Sequence, residues 1–320
     1  MNWRIKAAIQ NAIAMLPSPI SYAAYYTMQR RLGGLRRPAP AKRMAAGVRM
    51  AEFIEAWGGT IEGRTVVEVG TGHRLCLPMA LWLCGAGEIH TVDLNPYLKP
   101  ELVIEDIDYL RSHRGEIVAL FGRHALAPCF DRRFERLLAR RRRLPELLDL
   151  MHIRYLSPGD ATRLPLAAGS ADYHVSYTVL EHIPPKALTA ILSEGKRVVG
   201  TDGLLVHHVD FSDHFSHSDR SISAVHFLRF TERQWQRHAG NRYMYHNRLR
   251  IDELLALADQ SGLTVLESEA HVDERSLREL SCGLRLDGRF AGKSPQINAT
   301  SSVWLVASAR QRARLAAAAA

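Results

Sequence analysis

Thr65–His73 reads TVVEVGTGH, an apolar run that holds one acid, Glu68, and ends in Gly70 and Gly72. Further along, Ile89–Asn95 reads IHTVDLN, a second apolar run ending in Asp93. An acid about twenty residues beyond a glycine-rich strand exit is how an open α/β sheet builds a nucleotide pocket. The glycines let backbone approach a ligand with no Cβ in the way. The next helix presents free N–H groups, and a carboxylate at the second strand tip accepts from both ribose hydroxyls.

That plan serves nicotinamide, flavin and S-adenosylmethionine alike. Three further features choose among them. A dinucleotide fingerprint expects a third glycine against the pyrophosphate, and here Arg74 and Leu75 follow Gly72 instead. The stretch Ser157–Pro165, SPGDATRLP, sets Asp160 just past the apolar run Ile153–Leu156, where its carboxylate can accept from an adenine amino group. The run Asp172–Tyr177 leads into TVLEHIPP, with Glu181 and His182 at its carboxyl end.

In that order the segments resemble a class I S-adenosylmethionine-dependent methyltransferase, of the broad small-molecule group that includes quinone-biosynthesis C-methyltransferases, over Arg64 to Gly203. The resemblance implies S-adenosylmethionine as cofactor. It implies Glu68, Gly70 and Gly72 at the methionine and ribose end, Asp93 on the ribose, and Asp160 with Ala161 at the adenine. Thr71, Leu94 and Tyr177 complete the expected cofactor-binding set. Arg74 departs from the family pattern at the usual third glycine.

Apolar runs alternating with helical periodicity predict an α/β fold: a Rossmann-like, doubly wound, seven-stranded and mostly parallel sheet with a helical N-terminal arm and insertions. Strands are expected at Thr65–Val69, Glu88–Asp93, Ile153–Leu156, Tyr173–Tyr177, Gly203–Val209, Leu263–Ser268 and Ser302–Ser308. Helices are expected at Met44–Trp57 (stopped by Gly58 and Gly59), Leu75–Cys84, Pro185–Val199 and Ile251–Gln260. The resemblance further implies that the last strand inserts antiparallel between the fifth and sixth.

The 320 residues divide into a basic helical arm, 1–43, a methyltransferase domain, 44–309, and a low-complexity tail, 310–320. Two connections, about 97–151 and 210–250, exceed ordinary loop lengths and are expected to form a substrate lid. In the first, Leu120, Phe121, Phe134, Leu137 and Leu138 recur at helical spacing. Four cysteines with no CxxC pair point to reduced thiols and a cytoplasmic protein. The arm does not read as a signal peptide. Its tyrosines Tyr22, Tyr25 and Tyr26 precede a basic cluster and suit a helix that packs on the domain, caps the cofactor cleft or touches the inner face of a membrane. A net charge of +9 invites nucleic acid, but the excess sits in the arm, in Arg132–Arg143 and in the tail, without interleaved aromatics. An anionic small-molecule or lipid-linked acceptor uses that charge equally well.

Methyl transfer is an in-line displacement, so a hydroxyl acceptor must also lose a proton. His207, His208, Asp210, Asp213, His214, His217 and Asp219 crowd the exit of the fifth strand. A carboxylate-oriented imidazole makes His208, Asp210 and His214 the preferred catalytic candidates, with His182 next. Asn241, Arg242, Tyr243, Tyr245, Asn247 and Arg248 are candidates to grip the acceptor, or to pack in a short strand. With no HExxH or repeated ligand spacing, no metal site is expected. The reading is a methyltransferase with oxygen slightly favoured as acceptor. The alternatives are an NAD(P)-dependent oxidoreductase using the same pocket and a non-catalytic protein that binds the cofactor.

Overall fold

The computed structural model describes residues 1–139 and 143–310. Among these, seven strands form one sheet: β1 (Thr65–Val69), β2 (Glu88–Val92), β3 (Ile153–Leu156), β4 (Tyr173–Tyr177), β5 (Leu204–Asp210), β6 (Thr264–Val272) and β7 (Thr300–Ser308). Their spatial order is β3-β2-β1-β4-β5-β7-β6. β1 to β5 pair in parallel, and β7 runs antiparallel to both β5 and β6. Strand order therefore reverses between β1 and β4, which opens a crevice beyond their carboxyl ends.

Helices α1 (Trp3–Ala14), α2 (Ser18–Leu32) and α3 (Ala41–Ala56) precede the sheet, and α4 (Cys76–Leu83) joins β1 to β2. Between β2 and β3 lie α5 (Pro100–Ser112), α6 (Arg114–Phe121), α7 (Pro128–Leu138) and α8 (Leu144–Leu150). Further on come α9 (Pro185–Val199) before β5, and α10 (Glu232–Ala239) and α11 (Ile251–Gln260) before β6. The short helices α12 (Glu274–Ser281), α13 (Gly288–Ala291) and α14 (Pro295–Ala299) fill the connection to β7.

Alternation along the strands builds two cores. Val66 and Val206 face α3 and α4, while Val67 and Leu205 face α9 and α11. Helix α9 shows why the sequence folds as it does. Pro185 occupies the first turn, where its missing N–H costs nothing, and Leu188, Ile191, Leu192 and Val199 recur on one buried face. Gly200, at φ 64°, then ends the helix.

Several expected bounds shift, among them β5 to Leu204–Asp210 and α3 to Ala41–Ala56. β2 stops at Val92, so Asp93 lies in the turn beyond it; β6 runs on to Val272; and β7 begins at Thr300. Insertion 97–151 spends its apolar face on the core: Phe121, Phe130, Phe134 and Leu137 are fully buried in the cluster that holds α3 and α4. Those residues pack as core, not as a lid. No strand forms at Tyr243–Tyr245. Most of the basic run Arg140–Arg143 and the tail beyond Arg310 lie outside the described residues. No helix of the described residues is long and apolar enough to cross a membrane.

Candidate active site

Gly70 and Gly72 shape the turn that leaves β1. Gly70 sits at φ 91°, and a Cβ there would stand 2.3 Å from Val179 Cγ2, so only glycine lets this loop close on the β4 exit. A Cβ on Gly72, at φ 66°, would meet nothing within 4 Å, which leaves that side of the loop open. Asp93 faces the same turn. Its Oδ2 accepts from the Gly72 N–H at 2.8 Å and its Oδ1 from the Asn95 N–H at 3.2 Å. Burial raises its pKa against these backbone bonds, which lower it. Gly159 donates to the Asp93 carbonyl at 2.9 Å and brings the exposed Asp160 beside it. Asp160 Oδ1 is held by the Thr162 N–H and hydroxyl at 2.8 and 2.7 Å.

Beneath the loop, the Thr91 hydroxyl donates to the Glu68 carboxyl and lies 2.6 Å from the Thr71 hydroxyl. Burial, with Asp93 adding to it, pushes the Glu68 carboxyl up to about 8, so it holds its proton at neutral pH. A folded-state pKa above the unfolded one stabilises fully below the ordinary carboxyl range, and that contribution is lost as pH rises toward 8. Glu68→Gln is therefore expected to flatten the stability profile between about pH 5 and about pH 8. Urea unfolding midpoints across that range test this; a slope equal to that of the parent would place the proton elsewhere.

Arg74 turns away from the pocket. Its guanidinium donates to Asp106 and to the Leu102 carbonyl, both in α5, and only 6% of it is exposed. The residue that stands in for the third glycine thus locks the loop onto α5. Next to it, His73 stacks on Tyr97 with centroids 5.3 Å apart and on Tyr26 of α2 at 6.0 Å. Tyr22 meets Tyr97 at 5.7 Å, and Arg30 pairs with Glu105 at 2.6 Å. Helix α2 therefore lies across the loops leaving β1 and β2.

At the exits of β4 and β5, Tyr177 stacks on His208 at 4.9 Å, and Trp304 stands 4.6 Å from His208. These exits open on a cavity of about 550 Å³ lined by Lys42, Tyr177, Thr178, His208, Asp210 and Arg220, among others. Asp210 shares the face of β5 that carries His208. Its Oδ1 accepts from the Ser212 N–H and hydroxyl, and its Oδ2 stands 3.6 Å from His214 Nε2. Burial raises the Asp210 pKa, but the contacts with His214 and Ser212 outweigh it and hold the carboxyl well below its ordinary range. The His214 ring lies 4.9 Å from that of His182, whose Nδ1 is 2.8 Å from the Tyr245 carbonyl. Burial pushes His208 down to about 4, so it is neutral. His208 and Asp210 thus line the cavity, while His214 adjoins Asp210 and His182 adjoins His214 without lining it.

Other residues singled out by sequence go elsewhere. His207 is buried on the opposite face against Ser176, and Asp213 pairs with His226 at 3.2 Å. Asp219 accepts from the Trp3 N–H. The expected acceptor grip is a structural clasp: Asn241, Arg242 and Tyr243 bond Asn11, Ser18 and Ser21 of the arm, and the buried Arg248 donates to the Phe227 and Phe230 carbonyls. Asn247 donates to the Leu180 and Ile183 carbonyls and so holds the loop carrying Glu181 and His182. The absence of a metal site was expected from spacing within single segments. Here Glu181, His182 and His214 bring ligand atoms within 4.8 Å of one another from two loops.

Residues 129–207 match the family model described as a methyltransferase domain. The strand order agrees with it, because β7 lies antiparallel between β5 and β6, as the resemblance implied. The match over residues 129–207 and the sheet order together support an S-adenosylmethionine-dependent methyltransferase. The domain match indicates S-adenosylmethionine as the methyl donor, and neither a nicotinamide-dependent oxidoreductase nor a non-catalytic binder is favoured. No curated protein matches the sequence. Among solved structures the methyltransferase is similar to magnesium protoporphyrin IX methyltransferase from Synechocystis PCC 6803 with bound SAH (13% identity, 84% of this chain and 83% of that one, TM-score 0.42). It is also similar to a SAM-dependent methyltransferase from Methanosarcina mazei (14% identity, 78% and 94% covered, TM-score 0.41). A chain from a complex of the Haloferax volcanii Trm112 methyltransferase activator aligns at 16% identity over 86% of this chain and 99% of that one, with a TM-score of 0.43. The strand order, not these alignments, decides the fold.

The residues present in the methyltransferase fit the donor. Gly72 leaves open space, and Asp93 spends one backbone bond on each oxygen of a group with about four acceptor positions. Leu94, beside it, is 70% exposed, an apolar side chain placed where a ring can cover it. Glu68 and Thr71 lie under the loop and act as its support, and Tyr177 belongs to the cavity beside His208. Sequence reasoning missed Trp304, which reaches the site through the His208–Trp304 pairing of β5 and β7, and Lys42 from the first turn of α3. No local pattern announces either one. It also gave Glu181 no role, although the motif containing it was plain.

Proposed function

We propose that the methyltransferase modifies an oxygen of a small or lipid-linked acceptor that carries negative charge. What supports this reading is the cavity beyond β4 and β5: Tyr177, His208 and Asp210 line it, and Lys42, Arg220 and His271 bring positive charge or donors to it. Neither Lys42 nor Arg220 makes an ion pair among the described residues, so both are available to an anion. In this reading Asp93 holds the ribose hydroxyls, Leu94 covers the adenine face, Asp160 and Ala161 meet the adenine edge, and the glycine loop admits the methionine end. Helix α2 shields the cleft from water. A hydroxyl brought against the methyl group loses its proton to the cluster of His182, His208, Asp210 and His214, a need that an acceptor already present as an anion does not have.

A lipid-linked acceptor is included because the elbow between α1 and α2 exposes Ile5, Ile9, Met15, Leu16 and Ile20, an apolar patch next to Arg4 on the arm that covers the site. Such a patch suits peripheral contact with a membrane surface.

The test is to supply the purified protein with carbon-13-methyl-labelled S-adenosylmethionine and fractionated soluble and lipid extracts. The expected product carries label on oxygen, which the methyl chemical shift reports; label on carbon or nitrogen would overturn the oxygen assignment. With that acceptor, His214→Ala is expected to slow turnover at least about tenfold while the Kd for S-adenosylmethionine stays at the parent value. Turnover at the parent rate would remove His214 from the reaction.

A further inference from the structure

We propose that Glu181, His182 and His214 form a binding site for a divalent first-row transition-metal cation beside Asp210, a residue that lines the acceptor cavity. One carboxylate oxygen and one nitrogen from each ring lie within 4.8 Å of one another, a spread that a single ion can span with modest side-chain adjustment. The independent observation is Glu181 itself. It is 0% exposed, and its carboxylate oxygens meet no side-chain donor and no well-formed hydrogen bond, with only the backbone N–H groups of Glu181 and Asp210 nearby. A buried carboxylate without a partner is costly, and the two imidazoles beside it offer it no positive charge unless they take up protons. A cation at the shared point satisfies all three groups at once.

The surroundings already orient these ligands. The His182 Nδ1 lies 2.8 Å from the Tyr245 carbonyl, so that nitrogen carries the proton and Nε2 keeps the lone pair that a metal needs. His214 Nε2 stands 3.6 Å from Asp210 Oδ2, beyond hydrogen-bonding distance, so Asp210 lends the ring negative potential without fixing it. His246 is excluded although its ring is 5.2 Å from His214: its Nδ1 accepts from the Arg248 N–H and its Nε2 faces the Asp210 carbonyl. Asn247 fixes the loop between Leu180 and Ile183 and thus the relative placement of the two adjacent ligands. Two imidazoles and one carboxylate suit manganese, iron, cobalt or zinc better than magnesium or calcium, which prefer all-oxygen shells.

Three protein ligands leave coordination positions open on the side of the exposed His182. An acceptor hydroxyl bound there becomes more acidic and passes its proton to the neutral His208, which is not a ligand. That role rests on the oxygen-acceptor reading, whereas binding of the ion does not.

The test titrates the chelator-stripped full chain with Mn²⁺ alone, following free ion by electron paramagnetic resonance and heat by calorimetry in two buffers. S-Adenosylmethionine binding is measured separately on the same samples. One ion per chain is expected, with protons displaced from its ligands into the buffer. Glu181→Gln keeps shape and removes charge; it is expected to bind Mn²⁺ at least about tenfold more weakly while melting and binding S-adenosylmethionine like the parent. His214→Gln is the second variant and should lose the ion in the same way. No stoichiometric Mn²⁺ uptake by the parent chain, or equal uptake by both variants, overturns the site. Loss of S-adenosylmethionine binding by the parent would instead count against the methyltransferase reading and leave the metal result standing.

Discussion

Asp93→Ala is expected to weaken S-adenosylmethionine binding about 10²-fold or more while leaving the fold intact. The carboxylate stands in the turn after β2, bonded to the Gly72 and Asn95 N–H groups, so its loss acts twice. Two charge-assisted hydrogen bonds to ribose disappear, each contributing about 1.5–3 kcal/mol. The glycine loop also loses the bridge that fixes it opposite β2. Together these correspond to a loss in affinity of about 10²-fold or more. The sheet does not depend on Asp93, because the β1–β2 register ends at Val69 and Val92. Asp93→Asn is the informative comparison. It keeps one oxygen for the Gly72 N–H and loses the charge, so its affinity should fall between parent and alanine variant. Calorimetric Kd values beside melting temperatures decide the matter: parent-like affinity in Asp93→Ala would remove the ribose role.

The sheet was legible because its central strands β1, β2, β4 and β5 are buried on both faces and read as apolar runs between turn residues. Thr65–Val69, Ile153–Leu156 and Tyr173–Tyr177 form at the residues expected, as does the helix Pro185–Val199. What lay hidden depends on contacts between distant segments. The lid expected of 97–151 failed for its apolar residues because an amphipathic helix covers core or cavity equally well by pattern, and only packing against α3 and α4 chooses. Trp304 enters the site through an antiparallel neighbour that local sequence does not name. The polar insertion 210–250 was split by the fold: Asp210 went to the cavity with His214 beside it, while Asp213, Asp219, Asn241, Arg242 and Arg248 went to loop and arm. Each of these side chains has the same bonding capacity, and burial decides which of them meets protein and which meets ligand.

Arg74 shows how a departure from the motif is absorbed, and it carries the second large prediction. Arg74→Ala leaves Asp106, which is 0% exposed, without its guanidinium partner, and removal of one member of a buried pair costs about 3–5 kcal/mol. Burial already raises the Asp106 carboxyl to about 6, with Arg74 and the Cys76 thiol opposing that rise. Without Arg74 the carboxyl rises further. The sign follows: a raised folded-state pKa leaves stability intact below the ordinary carboxyl range and lowers it as pH climbs through the folded value. The variant should therefore lose most stability above about pH 6 and recover part of it in acid. Arg74→Met combined with Asp106→Leu replaces the pair by apolar volume and should regain most of the loss. Because Arg74 also ties the glycine loop to α5, the double variant is expected to bind S-adenosylmethionine more weakly than the parent despite its recovered stability. Denaturant midpoints and calorimetric affinities taken together test this separation. If both recovered in full, Arg74 would serve the fold alone and the loop would need no anchor.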